Sequence, residues 1–109
     1  MATVTYPDFK KLDLRIGEIE KVETIPGADN LYKLTVNIGN ETAQIVAGIA
    51  KGYRSDELVG KQIVMVVNLE PKVIKGVESK GMLLAAGESV TDVALLMPDK
   101  RVVPGTPVM

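Results

Sequence analysis

The chain has 109 residues, of which 46% are apolar, and a formal net charge of −1. This length fits one domain spanning residues 1–109, because independent domains cluster at roughly 100 to 150 residues. The charge lacks the strong basicity typical of nucleic-acid-binding domains. The absence of histidine and cysteine excludes imidazole-based catalytic triads, zinc sites built on His or Cys, and disulfides.

Other catalytic and membrane signals are also missing from the sequence. The acidic residues lie singly among polar neighbours, and neither glycine-rich phosphate-binding motif, GxxxxGK[ST] or GxGxxG, occurs. No segment approaches the roughly 20 apolar residues of a membrane span, and the N-terminus has no apolar signal region. We therefore expect a soluble, cytoplasmic protein that is not an enzyme and needs no cofactor, metal or membrane.

The first predicted strand, Leu12 to Val22, carries an irregular apolar pattern. Its alternation changes phase around Gly17 and Glu18. A glycine at such a break is typical of a bent or bulged strand that pairs with two sheets.

Two more strands follow with a regular period of two. In Leu31 to Ile38, the alternation places Tyr32 on the core side and Lys33 on the outer face. Gly39-Asn40 predicts a tight hairpin turn. The third strand is then predicted over Thr42 to Ala47.

The strand pattern stops between residues 48 and 60, where a short helix is predicted over 55–59. Ser55 is the expected N-cap, and Asp56 and Glu57 suit the first turn because negative charge is favoured at a helix N-terminus. We interpret this acidic pair as structural.

Two further strands are predicted over Lys61 to Leu69 and Met82 to Ala86, with a polar, mobile loop between them; Val93 to Met97 forms another short strand or a turn. Three meandering strands, a short helix and two strands indicate an all-β fold, the five-stranded oligonucleotide/oligosaccharide-binding (OB) barrel. A proline-containing C-terminal extension follows. An SH3-like barrel or a small sandwich remains the alternative.

Basic residues concentrate in the second half of this pattern. Residues 48–80 contain six basic and four acidic residues, a local charge of +2, whereas the rest of the chain sums to −3. Six cations form the candidate phosphate-binding surface: Lys33, Lys51, Arg54, Lys72, Lys75 and Lys80. Ordinary solvated surface charge is the commoner explanation of such a pattern.

Three other side chains are ambiguous. Asn68 and Ser79 can hydrogen-bond a ligand, but Asn also stops strands and Ser commonly satisfies turns. Met82 either fills a gap in the core or forms an adaptable binding surface. Aromatic residues are too few for a base-stacking platform, and Phe9 is predicted to fill the core.

Five motifs, in this order, resemble the tRNA-binding domain family over about residues 8–109. They are Phe9-x-x-Leu12-Asp13-Leu14-Arg15-Ile16-Gly17, Pro26-x-Ala28-Asp29-x-Leu31-Tyr32, Val46-Ala47-Gly48-Ile49-Ala50, Val67-Asn68-Leu69-x-Pro71, and Gly76-Val77-x-Ser79-x-Gly81-Met82-Leu83-Leu84-Ala85-Ala86. The resemblance implies the OB fold. It also implies that Asn68, Ser79 and Met82 line a tRNA site and that Lys33 and the lysines of residues 72–80 reach phosphates.

The function implied is non-catalytic binding of tRNA by shape and backbone charge, in aid of aminoacylation. The chain then resembles either a free-standing tRNA-binding protein or the β-subunit or C-terminal domain of methionyl-tRNA synthetase, with a synthetase catalytic chain as a candidate partner and no DNA partner. Family members commonly dimerise through their termini, which predicts a homodimer; the alternative is a tail bound to its own barrel. A CsaA-type chaperone-like peptide-binding protein and an RNA-free synthetase docking module are the other functions left open.

Overall fold

Strands dominate the computed structural model, which describes residues 1–109. The elements in chain order are α1 (Tyr6–Phe9), β1 (Leu14–Ile25), β2 (Ala28–Asn37), β3 (Thr42–Ala47), α2 (Ser55–Leu58), β4 (Gln62–Val66), β5 (Lys72–Ile74), β6 (Val77–Ser79), β7 (Met82–Leu83), β8 (Ala85–Ala86) and β9 (Ala94–Leu95). β1, β2, β3, β4 and β7 form one antiparallel sheet, whereas β5–β6 and β8–β9 are separate two-stranded hairpins.

β1 is the long, bent strand that the sequence predicts. Its first half pairs with β4 and its second half pairs with β2. A register shift between Ile19 and Lys21 marks the irregularity, slightly beyond the predicted position. Gly17 allows close packing at this point, since a Cβ there would lie 2.5 Å from the Val36 Cγ1 atom.

The five-stranded sheet, in the order β3-β2-β1-β4-β7, is closed by the segment between β6 and β7. The Lys80 backbone N–H donates to the Gln44 carbonyl at 2.8 Å, and the Val46 N–H donates to Ser79 Oγ at 3.0 Å. α2 lies between β3 and β4 in the chain. This is the arrangement predicted for an OB-type barrel.

The barrel core is aliphatic. Leu34, Val36, Ile45 and Ile63 are completely buried, and each such side chain stabilises the fold by about 1.5–3 kcal/mol relative to its exposed state. Tyr32 is also buried, as predicted. The Tyr32 hydroxyl donates a hydrogen bond to the Tyr53 carbonyl, in the segment before α2.

The N-terminal helix α1 was not predicted from the sequence, and Phe9 lies elsewhere than expected. Thr5 Oγ1 accepts a hydrogen bond from the Asp8 N–H at 3.3 Å, and Pro7 lies in the first turn; both features are typical helix-start signals. No residue of α1 is buried, and Phe9 is 44% exposed. The prediction that Phe9 fills the core is therefore wrong, because the helix carrying it lies outside the barrel.

α2 begins at Ser55, so Arg54 and not Ser55 is its N-cap residue. The backbone of Arg54 is extended and no side chain caps the helix. Leu58, completely buried, anchors this short helix on the barrel. Neither α1 nor α2 has the length and apolar character of a membrane-spanning helix.

Two predicted strands are shorter than their apolar runs. β4 ends at Val66 and not at Leu69, because the next residues turn toward the N-terminal segment. The predicted strand 82–86 divides into β7 and β8 at Leu84, whose N–H donates to the Val64 carbonyl and whose carbonyl accepts from Leu96.

The C-terminal segment lies beside the first half of β1. The Ile16 N–H donates to the Thr106 carbonyl at 2.9 Å, and the Gly105 N–H donates to the Ile16 carbonyl at 2.7 Å. A third bond joins the Val108 N–H to the Leu14 carbonyl at 2.8 Å. The backbone of the tail is thus bound to its own barrel, the alternative considered for it, while the side chains of Val103 and Met109 stay exposed and available for a contact between copies.

Candidate functional site

The basic segment predicted as a loop is a β-hairpin, formed by β5 and β6. Its turn residues Lys75 and Gly76 have φ values of 52° and 78°. Positive φ at both central residues defines the type I′ turn, which matches the twist of paired strands. The lysines of this segment therefore project from paired strands and not from an irregular loop.

Hydrogen bonds hold this hairpin against β3. Ser79 is 5% exposed, and its Oγ accepts from the Val46 N–H and donates to the Gly81 carbonyl at 3.2 Å. The side-chain amide of Gln44 donates to the Glu78 carbonyl at 2.9 Å. Ser79 thus positions the hairpin, and its hydroxyl is fully engaged within the protein.

The hairpin, the end of β3 and the start of β7 enclose a groove of about 230 Å³, here named the hairpin groove. Its lining comprises Val46, Leu69, Glu70, Lys72, Ile74, Ser79, Gly81 and Met82. Half of these residues are apolar, and Met82 is 48% exposed. The groove therefore combines an apolar wall with charged groups at its rim.

Lys33 and Lys80 flank the hairpin groove. Lys33 lies directly opposite Val46 in the β2–β3 ladder, and opposite residues share one face of a sheet. Its ammonium lies 3.6 Å from a Glu23 carboxylate oxygen. Lys80 lines a second depression over β2 and β3, with its ammonium 3.6 Å from a Glu78 oxygen. Both cations lie beside the groove, and each has an acidic partner.

Lys72 and Lys75 are the free cations of the hairpin. Neither belongs to any of the structure's ion pairs, and both are exposed. An unpaired ammonium can meet a phosphate group without first losing a carboxylate partner, so these two lysines are the candidate anion-binding groups of the hairpin.

Lys51 and Arg54 do not line the hairpin groove. Arg54 Nε lies 3.1 Å from Asp56 Oδ1 and 3.6 Å from Glu57 Oε2, so the first turn of α2 pairs with it. Lys51 is exposed and has no ion-pair partner. Of the six predicted cations, only Lys72 lines the groove. Lys33 and Lys80 flank it and Lys75 lies in the hairpin turn, whereas Lys51 and Arg54 lie in the segment before α2.

Asn68 has a clear structural role. Its Oδ1 accepts from the Asp13 N–H at 2.8 Å, and its Nδ2 donates to the Lys11 carbonyl at 2.7 Å. The amide thus joins the end of β4 to the segment before β1. Its contribution to the groove is to position the following residue, Leu69, which lies in the lining.

Three apolar members of the groove lining were not among the predicted site residues: Val46, Leu69 and Ile74. Val46 occupies the outer face of β3 in line with the polar residues Thr42 and Gln44. A single apolar side chain on an outer face is common, so the sequence carries no clear signal for it.

Comparison with known proteins identifies the family. A family model described as "Putative tRNA binding domain" matches residues 14–107. The chain belongs to this tRNA-binding domain family. The methionine–tRNA ligase of Thermococcus onnurineus is 52% identical over 99 residues, which cover 91% of this chain and 13% of the ligase. The chain thus spans a small part of the curated relatives it matches.

Two solved structures share the fold over almost their whole length. A MetRS-related protein from Pyrococcus horikoshii, MetRS being methionyl-tRNA synthetase, has a TM-score of 0.92 at 38% identity, with all of both chains covered. The chaperone CsaA from Bacillus anthracis has a TM-score of 0.90 at 35% identity, covering 99% of this chain and 100% of that one. The family and the fold predicted from the sequence are confirmed.

Proposed function

We propose that this domain binds tRNA through the hairpin groove and serves as a non-catalytic part of, or partner to, a methionyl-tRNA synthetase. The observation that carries the proposal is the pair of unpaired lysines, Lys72 and Lys75, on a hairpin held beside β3. The family match and the ligase relatives support it.

Recognition in this groove rests on phosphate contacts first. Ammonium groups are mobile point charges that meet phosphates without reading a base sequence. No aromatic residue lines the groove, so it offers no stacking platform for single-stranded bases. Met82 and Ile74 provide an apolar surface for sugars and base edges. The domain therefore recognises the shape and backbone of a folded RNA.

The contribution to aminoacylation is a local concentration effect. Once this domain has bound a tRNA, the catalytic chain attached to it meets the same tRNA within one complex. The overall binding becomes stronger although no catalytic group is added. We place this role in the cytoplasm, with tRNA and a synthetase catalytic chain as partners.

The direct test is Lys72→Ala combined with Lys75→Ala, titrated with mixed tRNA between about 50 and 200 mM salt. The salt slope is the steepness with which the logarithm of the binding constant decreases with the logarithm of the salt concentration. It should fall by about 0.7–0.9 for each phosphate that is no longer bound, and every tRNA should be affected similarly. Lys10→Ala with Lys21→Ala removes the same charge elsewhere and is the control. A slope and affinity equal to those of the control would refute the groove assignment. No tRNA binding by the unmodified protein, together with co-purification with the synthetase, would favour an RNA-free docking role.

We also propose that the domain forms a homodimer through its termini. Large apolar side chains are exposed there, including Val4, Tyr6, Leu12 and Met109, and the tail runs next to the start of β1. Two copies would present two hairpin grooves to one RNA. Light scattering at micromolar concentration should give twice the monomer mass; a monomer mass would contradict this assembly.

A chaperone-like function is the second candidate, favoured by the similarity to CsaA and by the apolar half of the groove lining. An extended peptide would place apolar side chains against Met82 and Ile74. The assay is suppression of aggregation of a client protein with and without excess tRNA. Suppression that tRNA does not relieve would support this candidate over tRNA binding.

A further inference from the structure

A second basic cleft lies at the start of β4, where the turn after α2 meets residues 97–101. Its volume is about 340 Å³, and we name it the basal cleft. Its lining comprises Val59, Gly60, Lys61, Gln62, Met97, Pro98, Asp99, Lys100 and Arg101. It shares no residue with the hairpin groove.

The basal cleft holds cations without acidic partners. Seven of the protein's 13 basic side chains have a carboxylate oxygen within 4.0 Å, which leaves six without one. Four of these six fall into two pairs, Lys72 with Lys75 on the hairpin and Lys61 with Lys100 in the basal cleft. Asp99 also lines the cleft, but it pairs with neither lysine.

The wall of the basal cleft is fixed by hydrogen bonds. Arg101 Nη1 donates to the Gly60 carbonyl at 3.1 Å, and its Nη2 pairs with Glu18. The Gln62 side chain forms two bonds with the backbone of Val102, donating at 2.6 Å and accepting at 3.0 Å. Glu18 therefore offsets the charge of Arg101, whereas the two lysines keep theirs.

We propose that the basal cleft binds a second stretch of phosphate backbone of the same tRNA that occupies the hairpin groove. The inference rests on the proposed function, because it adds a contact to that RNA. The cleft has two unpaired ammonium groups and no aromatic side chain, which suits phosphate and not an unstacked base.

The two sites lie at opposite ends of β4, so one RNA must span that distance to occupy both. Lys61 directly precedes β4, whereas Met82 of the hairpin groove pairs with Val66 at its other end. Five strand residues at about 3.3 Å each place the sites on the order of 15 Å apart. This exceeds the Debye length of about 8–10 Å in physiological salt, so the two lysine pairs act as nearly independent binding groups.

The experiment uses three variants. The cleft variant carries both Lys61→Ala and Lys100→Ala, the groove variant carries both Lys72→Ala and Lys75→Ala, and the fourfold variant carries all four substitutions. The control is again Lys10→Ala with Lys21→Ala. Each protein is titrated with intact tRNA and with an RNA trinucleotide, whose two phosphates are too close together to reach both sites. Neither cleft lysine side chain forms a hydrogen bond or ion pair in the structure, so the melting temperature of the cleft variant should be unchanged. If the melting temperature does fall, Lys61→Gln with Lys100→Gln replaces the alanine substitutions.

With intact tRNA, the cleft variant should lower the salt slope by about 0.7–0.9 per phosphate released, and the fourfold variant should show the sum of both decreases. With the trinucleotide, which occupies only one site at a time, the cleft variant should weaken binding less than it does with intact tRNA. A cleft variant equal to the control on intact tRNA overturns the second phosphate site, while weaker binding by the groove variant keeps the proposed function. Equal weakening on both RNAs also overturns it, since a general charge effect would then explain the result. If neither variant differs from the control, both proposals fail.

Discussion

The β5–β6 hairpin and the turn before α2 are both basic in the sequence, yet they differ in the structure. Lys72 and Lys75 have no acidic partner, whereas Arg54 lies against Asp56 and Glu57. The acids that favour the first turn of α2 also pair with the cation that precedes it. Counting cations alone therefore overestimates the positive charge of the turn, because the neighbouring carboxylates offset the charge of Arg54.

A difference in structural order does not explain this contrast, because hydrogen bonds hold both regions in place. Tyr32 donates its hydroxyl to the Tyr53 carbonyl at 2.8 Å, and the Tyr53 hydroxyl accepts from the Leu95 N–H at 3.0 Å. These bonds fix the turn as firmly as Ser79 fixes the hairpin. The contrast between Arg54 and the two hairpin lysines is one of charge pairing.

The largest effect is expected from Ser79→Ala, which removes the bond that holds the hairpin at β3. The Val46 N–H loses its partner in a buried site, which should lower the free energy of unfolding by about 1–3 kcal/mol. tRNA affinity should fall as well, because the lysines lose their support. Urea denaturation and tRNA titration measure both. Ser89→Ala, at an exposed position, is the control; equal stability of the two variants would show that the bond is dispensable.

Gly76→Ala tests the hairpin turn without touching any cation. Gly76 has φ 78°, and a Cβ there meets no atom within 4 Å, so the cost of about 1–2 kcal/mol comes from the left-handed backbone alone. Gly48→Ala is the matched control, because Gly48 lacks a positive φ and its Cβ would make an ordinary contact at 3.8 Å. Chemical denaturation should show destabilisation of the first variant only; similar midpoints would argue against the turn geometry.

The smallest effect is expected from Asp56→Asn with Glu57→Gln, which frees Arg54. If tRNA passes close to the turn, the salt slope should rise by up to about 0.7–0.9, the value of one bound phosphate. Asp29→Asn with Glu88→Gln makes the same change in charge elsewhere. Titration at several salt concentrations compares the two proteins, and an identical slope would mean that Arg54 lies beyond the reach of the RNA.

Regular alternation made much of the barrel predictable. β3 runs over the predicted Thr42–Ala47, and Tyr32 lies in the core as its period-two position indicates. The hairpin was missed because its strands have three residues each, too few for a clear period. Its turn also begins with Lys75, where Asn or Asp is the usual signal.

The site was predictable where it depends on sequence position, and less so where it depends on distant contacts. Lys72, Ser79 and Met82 line one groove, as expected of neighbours in one segment. The amide of Asn68 bonds to a segment 55 and 57 residues away in the chain. Such pairs form only in the folded molecule, so residue type alone leaves a ligand role and a structural role equally open.

The C-terminal segment beside β1 has a consequence for the behaviour of many copies in solution. β1 cannot use the backbone groups at Leu14 and Ile16 for pairing with β2, since that ladder begins at Glu18. Unpaired groups in a row are a template on which a strand from another molecule adds. In this protein, Thr106 and Val108 of the tail form hydrogen bonds with these backbone groups of β1. The tail therefore keeps a strand of another molecule from pairing there and so protects the protein against aggregation.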